Sequence, residues 1–236
     1  MGSIRFIEKD SYSGVSELSA LMLMDCVIRK PDALICVATG ASPLGMYAGF
    51  VRMAHERALD TSRLRIIKLD EWLDIPPDSP ATCEYYIREN LLNPLQIPSH
   101  HYVGFAADAN RPSDECDRID KWLDENGPID FCVLGIGKNG HLGLNEPASS
   151  LKAYSHTAEL EAKTKTHEML GRSDYNVTRG ITLGMAQILA SKQILLIAAG
   201  DEKAEVFSTF KAGGIRTDIP ATLLWLHQNT VCVCNI

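Results

Sequence analysis

The sequence contains no CxxC pair, no basic block and no apolar run near the roughly 20 residues that a bilayer span requires. Each absence excludes a class. The seven cysteines are scattered, and the only close pair is the CVC of the terminal run TVCVCNI, where alternate residues share one face. They read as reduced core thiols of a cytoplasmic protein rather than as a disulfide framework or a zinc site. The net charge of -7 and sequence pI of 5.5, without a basic patch, leave no phosphate-neutralising surface for a nucleic acid, although a small anion can still bind locally. The opening MGSIRFIEKD lacks a basic region followed by an apolar stretch, so neither a leader nor a membrane association is expected.

What is present suits one α/β domain. A chain of 236 residues with 45% hydrophobic content can bury a sizeable core. ALICVAT (33–39) reads as strand, PLGMYAGFVRMAHERAL (43–59) as helix, RIIKL (65–69) as strand and TCEYYIRENLL (82–92) as helix. HYVGF, SDECDRIDKWLDEN, IDFCVLGIG, GITLGMAQILA, QILLIAAG, DEKAEVFSTFKAG and TVCVCNI continue the alternation. Short apolar strands without polar alternation predict a mainly parallel, Rossmann-like sheet with helices on both faces.

Ligands of such sheets lie beyond the carboxyl ends of the strands, which directs attention to the loops that leave them. In ATGASPLGMY, the small residues Thr39, Gly40, Ala41 and Ser42 let backbone N–H groups approach an anion at a helix N-terminus, with Pro43 in the first turn. An ordinary turn capped by Ser42 is the plainer alternative. In KLDEWLDIPPDSP, Asp70 and Glu71 follow a strand and point to opposite faces. Alone they read as a solvated acid pair, yet a base for a carbon acid requires a carboxylate of this kind, partly desolvated and fixed on a rigid element. In AAGDEKAEVF, Gly200 ends a strand and Lys203 falls in the next first turn, where it opposes the helix dipole unless an anion is bound; an exposed lysine is the alternative.

The fourth loop, GIGKNGHLGLNEPASS (135–150), is the richest. Gly135, Gly137 and Gly140 match GxGxxG, but HLGLNEP follows, with Pro147 where a long helix should begin, and no evident acid-tipped strand comes next. His141 and Glu146 read instead as an imidazole and its orienting carboxylate. A metal pair is the rival and would need Asp70 or another His to join; a satisfied loop histidine is the bland reading. Together the loops offer a base, a His with its carboxylate, and anion-binding groups at one sheet edge. That combination suits proton transfer on a small phosphorylated metabolite.

LDEW (69–72), GIGKNGHLGLNEPASS, ITLGMAQIL (181–189) and GDEKA (200–204) resemble the amino-sugar-6-phosphate deaminase/isomerase family in the right order along nearly the whole chain. THEML, VTRGITLG and the late WLH resemble its galactosamine-6-phosphate branch most. The resemblance implies that His141 opens the sugar ring with Glu146 steadying the imidazole, that Asp70 takes the C2 proton, and that no metal or organic cofactor is needed. It implies that Thr39, Gly40, Ala41, Ser42 and Lys203 hold the phosphate, with Ala41 where a second glycine is frequent. Asn139 stands where some members carry an Asp, so it is expected to hydrogen-bond without adding charge. A family arginine that grips phosphate has no aligned partner; Arg179 ranks first as substitute, ahead of His167 and Arg172. The chain stops soon after TVCVCNI, so the allosteric behaviour of hexameric members is not expected, while a homo-oligomer stays open. Within the same fold family, a 6-phosphogluconolactonase or a non-catalytic sugar-phosphate sensor are the other readings.

Overall fold

The computed structural model describes residues 2–165, 169–170 and 175–236. Among these residues seven parallel strands form the central sheet: β1 (Ile4–Glu8), β2 (Leu34–Val37), β3 (Arg65–Lys68), β5 (Tyr102–Val103), β6 (Phe131–Gly135), β9 (Ile194–Ala199) and β10 (Thr230–Asn235). Their spatial order is β1-β10-β9-β6-β2-β3-β5, which agrees with the expected fold class.

The strands are apolar on both faces because both faces are covered. Cys36, Cys132, Leu134, Leu196, Cys232 and Cys234 point into one core, whereas Ile35, Val37, Val133, Leu195, Ile197 and Val233 point into the other. The second core is closed by α1 (Tyr12–Arg29) and α2 (Ala41–Glu56), the first by α4 (Pro112–Asn126), α6 (Met185–Leu189) and α7 (Ala204–Lys211). All seven cysteines are free thiols, and Cys232 and Cys234 share a face as their spacing requires. Among the described residues no helix is long and apolar enough to cross a membrane.

Three features depart from the sequence reading. The first strand and α1 escape it: the edge strand IRFIE is only partly buried, so its pattern is weak. Second, TCEYYIRENLL is not one helix but α3 (Cys83–Ile87) followed by a π-type turn over Arg88–Leu92. Third, the chain leaves β3 at Leu69 and re-forms as β4 (Asp70–Trp72), the edge of an antiparallel sheet with β8 (Arg179–Thr182) and β7 (His156–Glu159). This small sheet stands at the carboxyl end of β3 and forms one wall of the cavity described next.

Candidate active site

A cavity of about 400 Å³ opens at the carboxyl edge of the parallel sheet. Its floor is the loop after β2, with Thr39, Gly40, Ala41 and Ser42; its walls carry Asp70, His141 and Lys203. Helix α2 starts at Ala41, and Gly40 is its cap, so Ser42 lies inside the first turn rather than at the N-cap position. From there the Ser42 hydroxyl accepts a 2.9 Å bond from Lys203 Nζ. Residues 161 apart in sequence thus meet at the N-terminus of one helix. Burial holds the Lys203 ammonium below its usual range, Glu202 opposes that shift and Lys138 adds to it. A half-buried cation beside the N-terminus of a helix suits an anion. Lys203 itself ends a short 3₁₀ turn (Asp201–Lys203) just ahead of α7.

His141 sits on the loop after β6. Its ring lies flat against Gly137, where any Cβ would overlap the imidazole, so the second glycine of the apparent GxGxxG makes room for a histidine rather than a pyrophosphate. Nδ1 lies 3.5 Å from Glu146 Oε2 and 3.2 Å from Thr164 Oγ1. Asn139 Nδ2 donates to the same Glu146 oxygen at 2.8 Å, while Asn139 Oδ1 accepts from the His141 backbone N–H at 3.2 Å. Burial pushes the Glu146 carboxyl upward, but the bond and charge of His141, with Thr164 and Asn139, bring it below its usual range. An ionised Glu146 against Nδ1 favours the tautomer that carries its proton there, which leaves the Nε2 lone pair for the cavity.

Asp70 is 8% exposed, and among the described residues its buried Oδ1 has no hydrogen-bond partner. Burial, then the charge of Glu71, raise its carboxyl to about 7, with Lys68 pulling the other way. A carboxylate that titrates near neutrality and has an unengaged oxygen at a cavity wall is matched to taking a proton from carbon. The neighbouring Glu71 is fully buried on the opposite side, so the solvated acid pair is not what forms. Among the described residues no group of three or more His, Cys, Asp or Glu converges as a metal site would require.

The profile of the family described as glucosamine-6-phosphate isomerases/6-phosphogluconolactonase matches residues 8–233. The chain belongs to this family. AgaI of Escherichia coli (strain K12), by name a candidate deaminase, is 40% identical over 226 residues, spanning 96% of this chain and 90% of its own. A glucosamine-6-phosphate deaminase of Clostridium perfringens (strain 13 / Type A) is 32% identical over 234 residues, with 98% and 97% covered. The solved structure of a monomeric glucosamine-6-phosphate deaminase of the NagB superfamily matches with a TM-score of 0.92 at 29% identity, over 98% of this chain and 97% of the other.

Of the residues singled out in the sequence, the fold brings Asp70, His141, Thr39, Gly40, Ala41, Ser42 and Lys203 to the cavity, with Glu146 and Asn139 directly behind His141. Arg179 is not brought there. Strand β8 runs antiparallel to β4, so Thr182 sits opposite Asp70 while Arg179 lies three residues further, roughly 10 Å along the strand. Its guanidinium is held by both carboxylate oxygens of Asp74, at 2.7 and 3.0 Å. His167 and Arg172 lie outside the described residues. Sequence reasoning missed Lys138, Trp72, Lys163 and Thr164, all of which line the cavity. Lys138 stood inside the motif already under scrutiny; Thr164 arrives from the short helix α5 (Ala162–Lys165), with no local signal to announce it.

Proposed function

We propose that the protein converts a 2-amino-2-deoxyhexose 6-phosphate to the 2-ketose 6-phosphate with release of ammonia, taking galactosamine-6-phosphate to tagatose-6-phosphate or glucosamine-6-phosphate to fructose-6-phosphate. One arrangement carries the reading: a carboxyl group poised near neutrality and a carboxylate-backed imidazole share a cavity with an anion cradle. In this reading the phosphate is anchored by Lys203 and Ser42 at the N-terminus of α2, and the sugar carbons extend from there through the same cavity to Asp70 and His141.

In this reading His141 Nε2 carries a proton from the anomeric hydroxyl to the ring oxygen, which opens the pyranose to a C1 aldehyde, and Glu146 stabilises the imidazolium formed in passing. Asp70 then removes the C2 proton; the C2–H pair forms C1=C2, the carbonyl π pair moves to O1, and O1 takes a proton from the neighbouring C2 ammonium, giving a neutral enolamine. Return of a proton to C1 leaves an imine at C2. Water adds there, and the nitrogen departs as ammonia. No step demands a group other than those named.

The test is ammonia release from the two epimeric amino-sugar phosphates, measured beside hydrolysis of 6-phosphogluconolactone. Ammonium from either amino sugar with no lactone hydrolysis is expected. Lactone hydrolysis without ammonium would assign the site to a hydrolase, and tight binding of both sugars without turnover would make it a sensor.

Lys203→Ala reports on the cradle. A charge-assisted bond to an anion is worth roughly 1.5–3 kcal/mol, so the apparent dissociation constant of the phosphorylated sugar should rise about ten- to hundredfold, with little change for the unphosphorylated sugar. Calorimetric titration of both sugars measures it, and equal effects on the two would remove the phosphate from this corner.

A further inference from the structure

Behind Asp70 lies a charge cluster that the reaction does not touch. Lys68, the last residue of β3, is fully buried, an uncommon place for a lysine. Its ammonium donates to Glu71 Oε2 at 2.6 Å and to Glu84 Oε2 at 3.0 Å. Gly104 makes this possible, because a Cβ there would press on Lys68 Cε and on the Tyr102 hydroxyl. Glu71 is equally buried and accepts four donors: Lys68 and the backbone N–H groups of Trp72, Cys83 and Glu84, the last three each at 2.8 Å. It therefore ties β3, β4 and the N-terminus of α3 together. Glu84 is bonded in turn by the Tyr102 hydroxyl and by Arg88 Nε at 2.8 Å.

The cluster shares a strand of three residues with Asp70, which points the other way, into the cavity. We infer that Lys68 and Glu71 are positioning residues for the reaction, a buried ion pair that fixes β4 and sets the charge beside the Asp70 carboxyl group. This rests on the proposed role of Asp70 as base. The pair has two separable effects. As a brace it holds β4 to α3. As a dipole it sets a negative charge nearest Asp70 and a positive one behind it, so each member moves the Asp70 proton affinity in its own direction. The other titratable groups around Asp70 are Cys36 on β2, Tyr47 on α2 and Cys83 on α3, all buried and held above their usual ranges, with His141, Lys138, Lys163, Glu202 and Lys203 across the cavity.

Opposite charges at the two positions give a signature that a brace alone cannot produce. Lys68→Met should raise the pH at which Asp70 titrates by about one unit, and Glu71→Gln should lower it by a similar amount. The double variant, which removes both charges, should return it towards the parent. The titration is read directly from the carboxyl carbon of 13C-labelled aspartate by NMR, assigned with Asp70→Asn, and this needs no substrate; the low-pH limb of turnover should move in parallel. Glu84→Gln, farther out and partly exposed, removes a more distant negative charge and leaves Lys68 to Glu71 alone, so it should give a smaller shift in the same direction as Glu71→Gln, and it serves if the inner variants fold poorly. Shifts of the same sign in Lys68→Met and Glu71→Gln, or no shift in either, overturn the inference. If the carboxyl titration moves as expected while turnover does not follow, the inference about the pair stands and the assignment of Asp70 as base falls.

Discussion

Asp70→Asn should lose turnover by at least about 10²–10⁴-fold, roughly 3–5 kcal/mol of barrier, while still binding the sugar phosphate. The amide keeps the shape of the carboxylate and cannot accept a proton from C2. The neighbouring carboxylates are otherwise engaged or placed: Glu71 is sealed behind the strand by four donors, Glu146 is held by His141 and Asn139, and Glu202 lines the cavity beside Lys203. Single-turnover kinetics with the amino-sugar phosphate measure the loss. A second measurement separates chemistry from folding, since exchange of the C2 hydrogen with solvent deuterium should also cease. Turnover near that of the parent would show that another group takes the proton.

The same substitution should stabilise the protein at alkaline pH. The Asp70 carboxyl is raised from 3.8 to about 7 by burial first and by Glu71 second. Because the folded state holds this proton more tightly than the unfolded chain, the contribution favours folding below pH 4 and is lost as pH rises through about 7. Above that, the buried charge costs the fold at most about 4 kcal/mol. Asparagine carries no such charge, so its unfolding midpoint should exceed the parent's at pH 8, by less at pH 5, and approach it only below about pH 4. If Asp70 is the base proposed above, it is placed where function needs it and folding does not, a trade common at catalytic sites.

How much of this was legible in the sequence depended on whether the signal was local. His141 and Glu146 fall within one loop and read from it as an imidazole with its carboxylate, while Asn139, which bonds both, entered only through the family resemblance. Lys203 and the loop after β2 are far apart, yet the rule that parallel strands share a carboxyl edge was enough to join them. The rule failed where the chain left the parallel sheet. Nothing in LDEW announces that β4 pairs antiparallel with β8, and without that register Arg179 looks as near the cavity as Thr182. The Lys68 cluster was hidden for a different reason: its members come from β3, β4, α3 and β5, and a lysine ending an apolar strand reads as the point where the strand meets water. Only the packing shows that it meets two glutamates instead.

His141→Gln should slow the cyclic amino-sugar phosphate by about 10²–10⁴-fold and spare an analogue that lacks the C4 and C5 hydroxyls, which cannot close a ring. Glutamine fills similar space against Gly137 and can donate to Glu146, so the loop keeps its shape. What it loses is the capacity to accept a proton at one atom and release it at another, which ring opening requires because the anomeric hydroxyl must give up a proton while the ring oxygen gains one. The open-chain analogue enters the sequence after that step, and its C2 proton belongs to Asp70 on a different wall of the cavity. Glu146→Gln should follow the same pattern with a smaller loss, since the neutral amide still orients the ring through Nδ1 but no longer stabilises the imidazolium. Comparing the two substrates in each variant gives the ratio that decides the role. If both substrates slow equally in His141→Gln, the imidazole acts after the ring has opened, and delivery of the proton to C1 or to the departing nitrogen becomes its task.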